Sequence, residues 1–329
     1  MKDINEIVKK LDKPILTRAD VPYHATLVFN AGVTKYNGKY VMVFRNDYGT
    51  WGDPHIAGNN LGFATSDDGI KWTMADKPLL GPDNLPSGID INDKVKYIYD
   101  PRLTVIDGKL YMCFAVQSAH GVCGGIAVTE DLEHFEALNI SVPDNRNMVL
   151  FPEKIGGRYV RLERPMPVYS RGKDRFDMYL SYSPDMKYWG DMKFVMGVED
   201  VPFANDKIGP GAPPVKTKYG WLTTIHAVER DDTSGKNGWE IRWQKIYRAG
   251  IALLDLENPC RVIGMCDKPI ISPTLPFETE EGYRTHVIFP GGMIAEPDGE
   301  VKIYYGAADS VECLAVSNVD DLVALCLDK

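Results

Sequence analysis

The 329 residues are 44% hydrophobic and 25% charged, an ordinary globular balance that excludes intrinsic disorder. The net charge of −9 comes with no basic stripe, which argues against a broad face for nucleic-acid backbone. No apolar run reaches the ~20 residues of a membrane span, and the opening Met1-Lys2-Asp3-Ile4-Asn5 lacks the apolar core of a secretion signal, so a cytoplasmic protein with no membrane partner is expected. Six cysteines form no CxxC pair, and Cys113, Cys313 and Cys326 sit within apolar runs. They read as reduced thiols rather than as zinc ligands or a disulfide framework.

In chain order, residues 2–11 come first, with Ile4, Ile7, Val8 and Leu11 on one face of a short amphipathic helix. Five units follow, each with a turn and then a short apolar or alternating strand. The turns are Asn37-Gly38, Asp107-Gly108, Gly156-Gly157, Tyr219-Gly220 and Asp298-Gly299, and the strands run over 39–45, 109–114, 158–162, 221–225 and 300–305. Asn-Gly and Asp-Gly are strong hairpin signals because both central residues accept positive φ. A further strand completes each unit. In three units it ends in Ser/Thr, one residue, Asp, three residues and an aromatic: Ser66 to Trp72, Thr129 to Phe135 and Ser183 to Trp189. The Asp can accept from turn amides and the ring can cap the gap between blades, so these aromatics are read as structural rather than as sugar platforms.

Five strand-rich repeats of uneven length predict an all-β fold, a five-bladed β-propeller forming one domain over residues 1–329. The N-terminal helical segment, residues 1–12, would pack outside the blades or against a partner subunit. A doubly wound enzyme is disfavoured, since no glycine-rich phosphate loop stands at a strand-to-helix junction.

The loops between strands hold the candidate chemistry. In Tyr99-Asp100-Pro101-Arg102 the proline disfavours helix at Asp100 and fixes it at a strand entrance, facing a propeller's central opening. The blander reading is that Asp100 pairs with Arg102 and holds a turn. The cationic and polar candidates are Arg146, Asn147, Arg164, Lys207, His226 and Tyr247, each near a strand end of a different stretch. Each alone reads as a solvated charge or surface ion pair. Brought together by a propeller, they would suit a phosphate dianion, with Arg giving planar bidentate contacts and Lys a point charge.

Eight short pieces, taken in order, resemble those of the glycoside hydrolase family 130 β-mannoside phosphorylases. They are the entry His24-Ala25-Thr26-Leu27-Val28-Phe29-Asn30, Phe44-Arg45-Asn46-Asp47, Tyr99-Asp100-Pro101-Arg102, Arg146-Asn147, Glu163-Arg164-Pro165, Lys207-Ile208-Gly209, Tyr247-Arg248-Ala249-Gly250 and Gly306-Ala307-Ala308-Asp309. The resemblance implies a five-bladed propeller, in agreement with the repeat count. It implies Asp100 as proton donor, relaying through the mannose 3-hydroxyl. Arg146, Asn147, Arg164, Lys207, His226 and Tyr247 would bind phosphate, while Arg45, Asn46 and Asp309 would contact the mannosyl unit. The reaction implied is inverting phosphorolysis of a β-1,4-manno-oligosaccharide to α-mannose 1-phosphate, with inorganic phosphate as co-substrate and no metal or other cofactor. Mannosyl-glucose and mannosyl-N-acetylglucosamine are the alternative substrates, and the family suggests a homo-oligomer, of the order of a hexamer. The polar insert over residues 229–244 would shape the acceptor site, with Trp239 or Trp243 stacking on a sugar.

The chemistry is coherent without the resemblance. An inverting hydrolase needs an acid for the leaving oxygen and a base for the attacking water. Phosphate is already an anion, so one carboxyl group and a cationic clamp suffice. The rival hydrolase reading would recruit Asp47, Asp53 and Glu163 as further carboxylates. A second rival, a sugar-binding propeller without catalysis, would show no turnover at all.

Overall fold

The computed structural model describes residues 3–327, except 90, 92–93, 167–175, 234–237 and 241–243. Its strands form five antiparallel sheets arranged as the blades of a β-propeller. Blade 1 comprises Leu27–Tyr36, Lys39–Gly49, Ile56–Ser66 and Thr73–Met74, and blade 2 comprises Tyr97–Ile106, Lys109–Ser118, Gly121–Thr129 and Glu136–Ile140. Blade 3 is built from Asn145–Leu150, Tyr159–Pro165, Met178–Ser183 and Gly190–Met196. Blade 4 starts with Lys207–Pro210 and Val215–Lys216, then Trp221–Arg230, Lys245–Leu254 and Val262–Met265. Blade 5 has Ile288–Ala295, Glu300–Ala307 and Val311–Asn318.

The ring is closed by the N-terminus. Lys9–Lys10 pairs antiparallel with the third strand of blade 5, Lys9 opposite Val316 and Lys10 opposite Ala315. The helix expected over residues 2–11 is therefore confined to Ile4–Ile7, capped by Asp3, and Val8 is already extended. A helix this short has little stability of its own, while an open sheet edge offers a ladder of backbone partners. The segment is the outermost strand of a blade, not an appendage outside the blades. Lys10 secures it, its amine 2.6 Å from Glu278 and 3.0 Å from the carbonyl of Ser272.

The expected hairpin turns join first and second strands. Asn37 and Gly38 take φ of 51° and 79°, and Asp107 and Gly108 take 50° and 78°. The Ser/Thr-Asp-aromatic turns follow the third strands. Asp68 accepts from the amides of Ile70 and Lys71, both at 2.8 Å, and Asp131 and Asp185 repeat the pattern. Trp72 lies edge-on to Tyr304 of the neighbouring blade 5, 6.1 Å between ring centroids, and Phe135 is buried.

The first strands pack on one another around the axis and share an irregularity. Register slips between Phe29 and Gly32, Tyr99 and Arg102, Arg146 and Val149, and Pro290 and Gly292. In blade 4 the first strand breaks between Pro210 and Val215. These are β-bulges, which re-aim a side chain where a flat strand would not. Asn30, Asp100 and Asn147 sit in them with φ of 52°, 53° and 56°, a region Asn and Asp tolerate better than other side chains. The bulges crowd the axis: a Cβ at Gly32 would lie 2.7 Å from the Pro101 carbonyl oxygen.

Candidate active site

The bulges aim Asn30, Asp100 and Asn147 into one narrow recess of about 80 Å³, which Arg45, Tyr99, Arg146, Arg164, Tyr247, Arg284, Phe289 and Asp309 also line. A wider recess of about 260 Å³ shares Arg45, Tyr99, Arg146, Arg284 and Asp309, and adds Asp47, Gln117 and Tyr283. Two larger surface grooves lie along the N-terminal segment and hold none of this chemistry.

Asp100 accepts a 3.0 Å hydrogen bond at Oδ1 from Asn30 Nδ2, and Arg45 NH1 stands 3.7 Å from the same oxygen. Both of these contacts are to Oδ1. The turn-holding pair with Arg102 does not form. Arg102, 2% exposed, instead donates to the carbonyls of Pro101, Gly211 and Pro290 at 2.7, 2.7 and 3.1 Å, tying the bulges of blades 2, 4 and 5 beneath the recess.

The other carboxylates at the site are committed. Asp47 takes Arg45 in a two-point contact at 2.8 and 2.6 Å, and Asp309 takes Arg284 at 3.2 Å. Burial raises the Asp309 carboxyl above its ordinary value, against the pull of Arg284 and Arg45. Glu163 lies on the opposite face of its strand from Arg164, 1% exposed and 3.0 Å from Arg161. Asp53 is exposed on a loop.

Cationic groups converge on the same recess. Arg164 and Arg146 are held by the first two strands of blade 3, directly opposite one another in register. Arg164 Nε and NH2 and Arg146 Nε are buried donors with no partner among the described residues. Burial, then the Arg146 charge, lowers Arg164 to about 9. Burial, then Arg164 and Lys245, lowers the Lys207 amine to about 6. Lys207 stands one layer back, 4.9 Å from the Phe176 ring and 6.0 Å from that of Tyr247. Burial pushes the Tyr247 phenol up to about 12, so it remains a neutral donor. Buried donors normally find partners, and arginine donors left without one are suited to an anion.

Besides Lys207, two residues expected at the site line neither recess. His226 is fully buried behind Arg164, both ring nitrogens engaged: Nε2 with Arg164 NH1 at 3.0 Å, Nδ1 with the Pro210 carbonyl at 3.2 Å. Asn46 is also fully buried and donates to the His24 carbonyl and Asn60 Oδ1, each at 3.0 Å. The reason is the two-residue period of a strand: Arg45 and Asp47 face the recess, so Asn46 faces away. Asn30, Tyr99 and Arg284 had no assigned role in the sequence reading. The first two stood in quoted motifs beside their bulges, whereas Arg284 lies in a loop with no local signal. Trp239 packs edge-on to Trp51 at 4.4 Å, and its amide donates to the Tyr283 carbonyl at 3.0 Å, behind the wall of the wider recess. Trp243 lies outside the described residues. Among these residues no helix is long and apolar enough to cross a membrane.

A family model described as beta-1,4-mannooligosaccharide phosphorylase matches residues 2–328. The 1,2-beta-oligomannan phosphorylase of Thermoanaerobacter sp. (strain X514) is 32% identical over 319 residues, covering 94% of this chain and 97% of that protein. The beta-1,4-mannooligosaccharide phosphorylase of Ruminococcus albus is also 32% identical, over 328 residues, 98% of this chain and 91% of that one. The solved beta-1,2-mannobiose phosphorylase of Listeria innocua, in complex with beta-1,2-mannobiose, superposes with a TM-score of 0.82 at 24% identity, covering 98% of this chain and 99% of that one.

Proposed function

The chain belongs to glycoside hydrolase family 130, the mannoside phosphorylases, and from that premise we propose that it catalyses inverting phosphorolysis of a β-mannoside, with Asp100 as proton donor and inorganic phosphate as nucleophile. The observation that carries this reading is the imbalance of the recess. Of the two carboxylates lining the narrow recess, Asp309 is hydrogen-bonded by Arg284, whereas Asp100 has Arg45 no nearer than 3.7 Å, and Arg146 and Arg164, with buried donors that lack partners among the described residues, line the same recess. A hydrolase needs a second carboxylate free to activate water. Asp47 and Asp309 are held by arginines, and Glu163 by Arg161 on the far face.

In the proposed reaction the mannosyl unit sits between Arg45 and Asp309, and Asp100 gives its Oδ2 proton toward the leaving oxygen by way of the mannose 3-hydroxyl. Phosphate, held by Arg146, Asn147, Arg164 and Tyr247 with Lys207 behind, attacks the anomeric carbon from the opposite side. Arg146 and Arg164 supply charge-assisted hydrogen bonds where charge accumulates. The products are α-mannose 1-phosphate and a shortened acceptor.

For the acceptor, β-1,4-manno-oligosaccharide is the first reading, supported by the family description and the Ruminococcus albus relative. A β-1,2-linked oligomannan is the second, supported by a relative of equal identity. Synthesis from α-mannose 1-phosphate with mannobioses of each linkage, glucose and N-acetylglucosamine, following phosphate release, decides between them. Release with none of them would overturn the phosphorylase reading.

A further inference from the structure

Glu312 is a buried acid that the reaction above leaves unused. It lies on the third strand of blade 5, fully buried, opposite Gly306 in register. Its Oε2 accepts from the amide of Ala31 at 3.0 Å, and its Oε1 is buried without a partner among the described residues. Ala31 is the residue after Asn30 in the blade 1 bulge, and Asn30 is what donates to Asp100. The path is open because Gly306 has no side chain: a Cβ there would meet Asn30 Oδ1 at 2.3 Å and its backbone nitrogen at 2.7 Å.

We infer that Glu312 is a positioning residue for the proton donor, fixing the blade 1 bulge so that Asn30 holds Asp100 Oδ1 and leaves Oδ2 to carry the proton. The inference rests on the assignment of Asp100 as proton donor. A bulge exposes backbone groups that the ladder no longer pairs, and burial makes each such group costly to leave unsatisfied. Blade 2 meets that demand with Arg102 on the Pro101 carbonyl, and blade 1 meets it with Glu312 on the Ala31 amide. The two side chains act on adjacent bulges, from which Asp100 and Asn30 project. Burial holds the Glu312 carboxyl up at about 8, against the pull of the Ala31 amide and of Arg102, so a neutral group that still accepts this bond reproduces its role at neutral pH.

The experiment compares Glu312→Gln, Glu312→Leu, Asn30→Ala and the Asn30→Ala/Glu312→Leu pair, each checked for folding by thermal melting. Glu312→Gln keeps an acceptor for the Ala31 amide and is expected to retain kcat within about threefold, whereas Glu312→Leu lowers kcat roughly 10- to 100-fold, as small misplacements of a reacting group do, with the phosphate KM nearly unchanged. Because the effect runs through Asn30, Glu312→Leu adds no further loss in the Asn30→Ala background. Equal loss in Gln and Leu, additive losses in the pair, or a rise in phosphate KM parallel to the fall in kcat would overturn it. A readout independent of turnover is the carboxyl ¹³C chemical shift of Asp100, expected to move in Glu312→Leu and not in Glu312→Gln. An unchanged chemical shift in Glu312→Leu overturns the inference, whereas failure of wild type to release phosphate with any acceptor overturns the phosphorylase reading.

Discussion

Arg164 and His226 hold one another: NH1 of the arginine donates to Nε2 at 3.0 Å, while Nδ1 donates to the Pro210 carbonyl at 3.2 Å. This arrangement fixes the neutral tautomer with its proton on Nδ1, and burial followed by Arg164, Arg102 and Lys207 drives the imidazole well below its ordinary value. His226 thus orients the arginine that faces the anion.

His226→Ala is expected to raise the phosphate KM about tenfold or more, since it frees a buried guanidinium whose charge-assisted bonds are each worth ~1.5–3 kcal/mol. The mannoside KM should move much less. Because the folded His stays neutral, stability that it contributes is present above the unfolded value of about 6.5 and is lost as pH falls below it. Urea titrations of wild type and His226→Ala at several pH values should show a shallower acid limb in the variant.

Lys207 has the opposite linkage to phosphate. Its amine sits at about 6 in the free protein, so it is mostly neutral at pH 7.5, and a bound anion favours its charged form. Phosphate binding should therefore take up a proton, and affinity should fall as pH rises above 6. Calorimetry in two buffers of different ionisation enthalpy measures the uptake directly. Lys207→Met should abolish that component; an unchanged proton count in the variant would move the effect to another group.

Asp100→Asn should fold normally, because asparagine tolerates the φ of 53° at this bulge. Its amide cannot supply the proton, and general acid catalysis is worth ~10²–10⁴-fold, so kcat should fall by that order. Near-wild-type turnover in a folded variant would displace Asp100 from its role.

The stereochemical course follows from the committed state of Asp47 and Asp309. With Asp100 as the acid and no second unpaired carboxylate lining the recess among the described residues, a single displacement with inversion is the expected course. Proton and phosphorus NMR of the earliest product should show α-mannose 1-phosphate from a β-mannoside. A β-phosphate, or a mannosyl group trapped on any acid, would contradict the single-displacement mechanism.

Closure of the ring depends on Lys10. Its partner Glu278 is fully buried, and removing one member of such a pair costs about 3–5 kcal/mol. Glu278 also accepts from the amides of Thr274 and Leu275 and from Tyr305, so Lys10→Ala should fall at the low end, about 3 kcal/mol, read by thermal or urea unfolding.

The five blades were legible mainly through local turns, written most fully in blades 1 to 3. Asn-Gly and Asp-Gly turns specify positive φ, and the Asp of each Ser/Thr-x-Asp turn binds amides two and three residues away, so no distant contact is needed. Asp100, Arg45 and the Arg146–Arg164 pair were legible through short motifs beside strand ends. Tertiary structure decided the rest. Strand period and the neighbouring Arg45 and Asp47 turned Asn46 from the recess, and the packing of blade 3 on blade 4 placed His226 behind Arg164. The free edge of blade 5, formed some 300 residues downstream, drew Lys9–Lys10 out of a helical pattern. The ties of Arg102 to Pro290 and of Glu312 to Ala31 span 188 and 281 residues, and no local pattern encodes a bond whose partners meet only when the ring closes.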